Sequence, residues 1–332
     1  MRQTVTVVPI DPDGWPSGPT SRPVIVVGPN PATDRLQVIG QLDPGGVHRA
    51  TRVEQRAGGK SFIVTRSIRR RGVDVAMHGF IGGSSQKLAE TEQDELGITN
   101  RHTSIAEDTR LTTVLVEQSN GRSTVINEPG PVIAATELEQ FKEFLSADVQ
   151  QGDLVVCTGS LPQGVGTDFY AKVVAFARSR NALTLVDASG EALKASLTEA
   201  PWAVKCNLHE FAAVLGLGAA CREQDVIVAM QQQCRRGSSV VIITMGGEAF
   251  LVVTEQAAWK VTVPQVEVVN ATGSGDTFLG CFVAAAAKGE SFCDALRDAA
   301  AGGSINAAQL DPGLQTDTDL EPHRSQVEFS KI

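Results

Sequence analysis

The chain has 332 residues, of which 42% are hydrophobic and 20% are charged, a size and composition typical of a globular protein with one large domain. Its net charge of −9 argues against a broad surface for nucleic acid or for a membrane, although it allows a local basic pocket. The six cysteines are scattered without a CxxC pair, so neither a zinc site nor a disulfide framework is indicated. No apolar signal segment is visible, and we expect a cytoplasmic protein.

The first part of the chain predicts an extension, a strand and a small sheet. Residues 1–22 carry repeated prolines and glycines and are expected to form an N-terminal extension. A β-rich run follows and leads to Asp34, which could bind a ligand at a strand end or could be a simple turn residue. Segments 37–56 and 109–126 combine β-forming residues with turns, and we expect them to build a small second sheet.

A pair of glycines precedes the first predicted helix, which spans residues 62–71. The backbone of Gly58 and Gly59 could offer N–H groups to a polar ligand at the start of that helix. Lys60 follows directly and could hold a charged group of a substrate, or it could be solvated.

The rest of the chain alternates between strands and helices. From about residue 136 this alternation predicts a parallel sheet with helices on both faces. Residues 311–332 are polar with two prolines and are expected to form a loosely held C-terminal tail. Asn207 and Glu210 lie three residues apart beside a predicted strand end, where they could organise magnesium or could form a helix capping box.

The segment 266–280 predicts a strand, a glycine turn and a buried helix. Gly273 and Gly275 allow a sharp turn, and the start of the following helix offers unpaired N–H groups to an anion such as phosphate. Asp276 at this point could remove a proton from an attacking hydroxyl. It could equally be an ordinary acid in the first turn of a helix.

Taken together, these features resemble the ribokinase-like, or phosphofructokinase-B, family of sugar kinases, over nearly the whole chain from about residue 24 to residue 308. The similarity is greatest to its 1-phosphofructokinase and tagatose-6-phosphate kinase branch. The matching segments, in the family's order, are 30–34, 45–49, 57–60, 79–83, 109–110, 126–131, 158–162, 187–191, 207–210, 244–247 and 270–277.

The resemblance implies an α/β fold, a three-layer α/β/α sandwich with a mostly parallel central sheet. The kinase domain would span 23–310, with a small β-sheet lid built from about 37–56 and 109–126, followed by the 311–332 tail. Lids of this family often pair between subunits, so the resemblance also implies a homodimer through the lid.

It further implies the roles of individual residues, with ATP and Mg²⁺ as cofactors. Asp276 would be the general base, and the N–H groups of Gly273, Ser274 and Gly275 would neutralise charge on the phosphoryl group. The remaining assignments would be sugar binding by Asp34, Gly58 and Gly59, magnesium through water at Asn207 and Glu210, and nucleotide binding by Asn207, Thr244, Gly246 and Asn306.

The substrate half both supports and departs from the family pattern. Arg49, Lys60, Lys87 and Arg110 match positions that would hold the existing phosphate of a sugar phosphate. Ile63, however, stands where the family usually has an asparagine that helps to bind the sugar; His48 also replaces an asparagine and Thr112 falls near another.

The resemblance therefore implies a kinase of a phosphorylated ketohexose, first of all of fructose 1-phosphate. Alternatives are tagatose 6-phosphate, fructose 6-phosphate, an unphosphorylated sugar or nucleoside, or a non-catalytic protein that binds sugar phosphates.

Overall fold

The computed structural model describes residues 9–218 and 221–332. The strands of this part of the chain are, in order, β1 (Val24–Val27), β2 (Ala32–Ile39), β3 (Arg52–Gly58), β4 (Val75–His78), β5 (Phe80–Gly82), β6 (Thr99–Asn100), β7 (Thr103–Ile105), β8 (Leu111–Glu117), β9 (Ser123–Asn127), β10 (Leu154–Thr158), β11 (Leu183–Asp187), β12 (Ala203–Asn207), β13 (Val240–Thr244), β14 (Ala249–Thr254), β15 (Ala258–Thr262) and β16 (Phe329–Lys331).

The helices are α1 (Gly59–Arg70), α2 (Ser85–Leu96), α3 (Ala135–Asp148), α4 (Phe169–Ser179), α5 (Gly190–Leu197), α6 (Leu208–Val214), α7 (Glu223–Arg235), α8 (Ser274–Ala287), α9 (Phe292–Ala307) and α10 (Glu321–Arg324). None of the described helices is both long and apolar enough to cross a membrane.

The central sheet runs in the order β16-β15-β14-β13-β12-β11-β10-β1-β4-β6. Strands β6, β4, β1 and β10 to β13 are parallel, and β14 to β16 continue the sheet in antiparallel pairs. These strands are almost continuously apolar because both of their faces are covered by helices. The predicted α/β fold with a mostly parallel sheet is thus confirmed.

Successive side chains of each strand point to opposite faces of this sheet, and the two faces carry separate cores. Val24 and Val26 of β1 pack in the core beneath α1, α8 and α9. Ile25 and Val27 pack in the core beneath α3 to α7. The result is the expected three-layer sandwich.

A four-stranded sheet of order β3-β2-β8-β9 lies beside the sandwich. Its β2–β3 and β8–β9 pairs are antiparallel, as the strand-and-turn patterns predicted, and β2 joins β8 in parallel. Leu36 and Val114 belong to its small apolar core, against which Leu310 packs. We call this sheet the lid.

Both terminal segments pack against the sandwich, and the C-terminal one is held more firmly than predicted. The first eight residues lie outside the described residues, but Trp15 packs against Trp202, Phe282 and Phe292 and donates from Nε1 to the Glu290 carbonyl. The expected loose C-terminal tail is wrong, because β16 pairs with β15 and Leu314 and Leu320 are buried.

The strand predicted over residues 266–269 is also absent. The N–H groups of Val269 and Asn270 both donate to the Ala307 carbonyl at the end of α9, and the segment passes as an irregular loop instead of joining a sheet. Val268 is consequently half exposed and lies on the wall of a cavity.

Candidate active site

Several polar residues meet at one edge of the central sheet. The parallel strands β10, β11, β12 and β13 end in Thr158, Asp187, Asn207 and Thr244. Open α/β sheets bind ligands outside the carboxyl ends of their strands, because loops and helix N-termini converge there. Two cavities open at this edge, and both are lined by Lys60 and Asp276.

The lid cavity has a volume of about 480 Å³ and reaches from Asp276 to the inner face of the lid. The loop cavity has a volume of about 530 Å³ and extends from Asp276 along the glycine loop (residues 270–275) to the ends of β12 and β13. The two cavities therefore meet at Lys60 and Asp276.

The glycine loop presents its backbone to the loop cavity. Gly273 has a φ of +80°, a left-handed conformation that favours glycine, and α8 begins at the next residue. Within the described chain the N–H groups of Gly273 and Gly275 have no protein acceptor, whereas the Ser274 N–H donates to the Ala271 carbonyl. Gly273 and Gly275 thus fit the predicted anion site, but the N–H of Ser274 is already engaged.

Asp276 lies in the first turn of α8 and is 8% exposed. Burial raises the pKa of its carboxyl to about 6; the nearby Lys60 ammonium opposes this shift and Asp187 adds to it. A carboxylate with such a pKa can still be ionised at neutral pH and is a stronger base than an exposed aspartate. Its position therefore allows proton abstraction from a hydroxyl in the lid cavity.

Asp34 comes from the lid strand β2 and lines the lid cavity. Its two carboxylate oxygens both accept from the Gly59 N–H at 3.2 Å. Burial raises the pKa of Asp34, and the Gly59 N–H and Arg66 act in the opposite direction. Gly59 also lines the cavity, but Gly58 does not; its lack of a side chain leaves room for Asp34.

The predicted phosphate-binding cations are only partly brought together. Arg110 lines the lid cavity, where its guanidinium donates to the carbonyls of Asn30 and Glu128. Arg49 and Lys87 are exposed, and the structure places neither on the wall of this cavity. Arg49 lies in the long loop between β2 and β3, and Lys87 points outward from α2.

Lys60 is not simply solvated. Its ammonium lies 3.4 Å from Asp187 Oδ1 and 3.7 Å from Asp276 Oδ1. Burial alone would lower the pKa of Lys60, but the carboxylates of Asp187 and Asp276 raise it above its ordinary value. Lys60 therefore remains charged between the two cavities.

The departures from the family pattern fall in two places. Ile63 and Thr112 line the lid cavity, so they would face a bound ligand directly. His48 instead lies in an exposed turn, where its Nε2 is 2.9 Å from the Asp43 carbonyl oxygen.

The loop cavity collects most of the residues expected to bind nucleotide and metal. Asn207, Glu210, Thr244 and Gly246 all lie on its wall. Asn306 does not, because its side chain is fully buried behind the glycine loop. It accepts from Thr277 Oγ1 and the Gly313 N–H, and it donates to Thr272 O and Ser274 Oγ, so it holds the loop rather than a ligand.

Asn207 and Glu210 form the capping box of α6. The Asn207 side chain accepts from the Glu210 N–H at 2.8 Å, and Glu210 Oε2 accepts from the Asn207 N–H at 3.1 Å. One oxygen of Glu210 stays available to the cavity. No group of three or more His, Cys, Asp and Glu side chains suited to a metal occurs among residues 9–218 and 221–332. The donors present fit magnesium that keeps most of its own waters.

Sequence reasoning placed Asp187 in a matching segment and Lys205 just before another, but gave neither a role. Asp187 is fully buried at the end of β11, and Lys205 is 4% exposed in the apolar strand β12. An ionisable residue inside an apolar strand is the signal that could have singled out Lys205, because such residues are rarely buried without a partner. Asn30 Oδ1 and Thr158 Oγ1, also at the lid cavity, are buried without a hydrogen-bond partner in the described chain.

Two known kinases are similar to this chain over most of its length. The chain is 29% identical to tagatose-6-phosphate kinase of Staphylococcus epidermidis over 91% of its length and 98% of the relative's. It is 30% identical to 1-phosphofructokinase of Bacillus subtilis, over 86% and 93% of the two lengths.

Among solved structures, phosphofructokinase-2 from Escherichia coli in complex with substrates and products superimposes with a TM-score of 0.85. It is 23% identical, and the match covers 92% of this chain and 99% of that one. Residues 30–319 match the family described as pfkB family carbohydrate kinase. With its two cavities meeting at Asp276 and a family match over most of its length, the chain belongs to the pfkB family of carbohydrate kinases.

Proposed function

We propose that this kinase transfers the γ-phosphoryl group of ATP to a hydroxyl of a phosphorylated ketohexose, first of all fructose 1-phosphate, which becomes fructose 1,6-bisphosphate. One observation carries the proposal: Asp276 lies on the shared wall of the two cavities, next to the free N–H groups of the glycine loop. The sugar phosphate would occupy the lid cavity and the nucleotide the loop cavity.

In this mechanism the chain positions two reactants and stabilises charge. Asp276 accepts the proton of the attacking hydroxyl, and the N–H groups of Gly273 and Gly275 donate to the phosphoryl oxygens. Asp34, held by the Gly59 N–H, orients sugar hydroxyls. Asn207 and Glu210 would hold Mg²⁺ through water, and the ion would offset charge on the nucleotide phosphates.

The choice of a phosphorylated acceptor rests on the relatives, named tagatose-6-phosphate kinase and 1-phosphofructokinase, and on Arg110. The Arg110 guanidinium lies on the wall of the lid cavity, where it could pair with a phosphate.

Other residues that line the lid cavity favour a second candidate, a kinase of an unphosphorylated sugar or nucleoside. Ile63 offers no hydrogen bond there, and the lining carries the carboxylates of Asp34, Glu128 and Asp276 against only the cations Lys60 and Arg110. Such a balance would disfavour a phosphate unless Arg110 is released from its two carbonyl partners.

The test is an assay of ADP release with ATP and magnesium over fructose 1-phosphate, tagatose 6-phosphate, fructose 6-phosphate, free fructose and ribose. We expect turnover with one sugar phosphate, and Arg110→Ala should raise its KM at least tenfold with little change for ATP. Turnover of a free sugar that is insensitive to Arg110→Ala would establish the second candidate. Binding of a sugar phosphate without any turnover would indicate a non-catalytic protein.

We also propose a homodimer through the lid. Val53 and Ile126 are about half exposed on the lid face opposite Leu36 and Val114. Such apolar residues on an outer sheet face suit contact with a second copy. Light scattering should give twice the mass of one chain, and Ile126→Lys should shift it to the single-chain mass. A wild-type protein that is monomeric at micromolar concentration contradicts this proposal.

A further inference from the structure

Two lysines share one buried carboxylate at the carboxyl edge of the sheet. Lys205 Nζ lies 2.9 Å from Asp187 Oδ2, and Lys60 Nζ lies 3.4 Å from Asp187 Oδ1. Asp187 is completely buried, and the two lysines lower its pKa although burial alone would raise it. Each oxygen of Asp187 therefore fixes one ammonium group.

The two ammonium groups border the path between the cavities. Lys205 lines the loop cavity, and a β-carbon on Gly275 would lie only 3.0 Å from its Nζ, so this charge lies against the glycine loop. Lys60 lines both cavities and lies beside Asp276. A phosphoryl group that moves from the loop cavity toward an acceptor in the lid cavity would pass close to both ammonium groups.

The charges of this cluster change during the reaction. With Asp276 ionised, the two lysines face two carboxylates and the four groups are neutral together. Once Asp276 has accepted the proton of the acceptor, only Asp187 opposes the two ammonium groups. One ammonium charge is then left without a counter-charge beside the phosphoryl group. This happens at the moment when the negative charge of that group is most dispersed.

We propose that Asp187 is a positioning residue that holds Lys60 beside Asp276 and Lys205 against the glycine loop, and that both ammonium groups bind the phosphoryl group in transit. This inference rests on the proposed kinase function. It extends that function to Asp187 and Lys205, which have no role in it so far, and gives Lys60 a role beyond the expected anchoring of the sugar's own phosphate.

The transfer itself balances without any further reactant. The acceptor hydroxyl loses its proton to Asp276, and its oxygen forms a bond to the γ-phosphorus of ATP. The bond from that phosphorus to the β–γ bridging oxygen breaks, and the electron pair leaves with ADP. The lysines stay protonated throughout and change only their partners.

Kinetics of single variants test the proposal. We expect Lys205→Met to lower kcat about 100-fold with a less than about threefold change in KM for the sugar phosphate, since the lost charge would act on the transferred group. Lys172→Met is the matched control, because Lys172 pairs with Asp168 at 2.7 Å on the exposed surface of α4. A kcat of Lys205→Met close to that of Lys172→Met would overturn the assignment of Lys205.

The pH profile separates a role at the base from a merely structural one. Lys60→Met should move the acidic limb of kcat/KM to higher pH, because Asp276 loses the cation that lowers its pKa. Asp187→Asn should move that limb to lower pH and also lower kcat, because a carboxylate that raises the pKa of Asp276 is gone and the lysines lose their anchor. Variants that lose thermal stability but keep the wild-type limb would overturn the proposal.

Nucleotide binding keeps the test independent of the acceptor. Calorimetric titration with a non-hydrolysable ATP analogue and magnesium should show at least about tenfold weaker binding to Lys205→Met than to Lys172→Met. Equal binding would contradict the role of Lys205 even if no sugar in the panel is turned over. An inactive wild type that binds the analogue would refute the proposed function, whereas an active wild type with unaffected variants would refute this inference alone.

Discussion

The carboxyl carbon of Asp34 lies 2.0 Å from the point that a β-carbon on Gly58 would occupy. A side chain at residue 58 and the Asp34 carboxylate would therefore compete for the same space, and glycine avoids the competition by having no side chain. Because Gly58 does not line the lid cavity, we expect it to affect a ligand there through Asp34.

Gly58→Ala is expected to displace Asp34 from the Gly59 N–H and to raise the KM for the sugar at least tenfold, with the KM for ATP unchanged. Gly40→Ala is the control, because nothing lies within 4 Å of its β-carbon position. Steady-state kinetics with each substrate varied in turn provide the comparison. Equal sugar KM values in the two variants would show that Asp34 does not bind the acceptor.

The pH dependence of the reaction should report Asp276. Because burial raises its pKa to about 6 and only the ionised carboxylate can accept a proton, kcat/KM for the sugar should rise with pH through about 6 and then level off. The profile should be recorded at constant ionic strength in the wild type. An acidic limb near pH 4 would mean that the base is an ordinary exposed carboxylate and not Asp276.

Asp276→Asn should remove activity and stabilise the fold at the same time. We expect kcat to fall by about 10³-fold, the usual contribution of a general base. The raised pKa means that the folded state holds the ionised form unfavourably, so this cost is fully present above about pH 6 and fades as the pH falls toward 3.8.

The gain in melting temperature of Asp276→Asn over the wild type should therefore be larger at pH 8 than at pH 4.5. Glu290→Gln, at a partly exposed carboxyl that lines neither cavity, gives the background effect of removing one negative charge. A variant that melts below the wild type at pH 8 is incompatible with the expected penalty.

The sequence allowed prediction of those features that local patterns encode. The apolar strands and the glycine loop with Asp276 are each continuous in the chain, so the parallel sheet, the lid strands and the position of the proposed base could be predicted. The prediction of a strand over residues 266–269 was wrong, because β-forming valines of this segment line a cavity instead of joining a sheet.

The Lys60–Asp187–Lys205 cluster could not be predicted from local sequence patterns. Its three members come from α1, β11 and β12, and they meet only because β11 and β12 are neighbours and α1 begins at the same edge. Trp15 likewise packs against Trp202, Phe282 and Phe292, which are distant in the sequence. No local pattern in residues 1–22 indicates these contacts.

Ile63→Asn tests the main departure in the lid cavity. An amide at this position should lower the KM for the sugar because it offers a partner to a hydroxyl, at a stability cost of about 1–3 kcal/mol for burying a polar group. Ile63→Val, which should cost about 0.5–1.5 kcal/mol, controls for the loss of packing against the glycine loop. If Asn and Val give the same sugar KM, no hydroxyl faces residue 63.

Asn306→Ala should damage catalysis without touching a ligand. It leaves Thr272 O, the Gly313 N–H and two hydroxyl groups without a partner, and we expect a loss of about 2–4 kcal/mol in the free energy of unfolding. A looser glycine loop should also lower kcat at least tenfold. Gln233→Ala, at another buried hydrogen-bonding side chain far from the loop, should lose stability and keep its kcat. A wild-type kcat in Asn306→Ala would separate this side chain from loop geometry.

Because Lys60 lies between Asp187 and Asp276, binding of the nucleotide should be coupled to protonation of Asp276. Nucleotide phosphates that enter the loop cavity would compete for the Lys60 ammonium, the cation that most lowers the pKa of Asp276. Nucleotide binding should then be accompanied by proton uptake near pH 6, and by reciprocity the affinity for the nucleotide should increase as the pH falls through that range. The heat of nucleotide binding would then vary with the ionisation enthalpy of the buffer, even before any sugar is present.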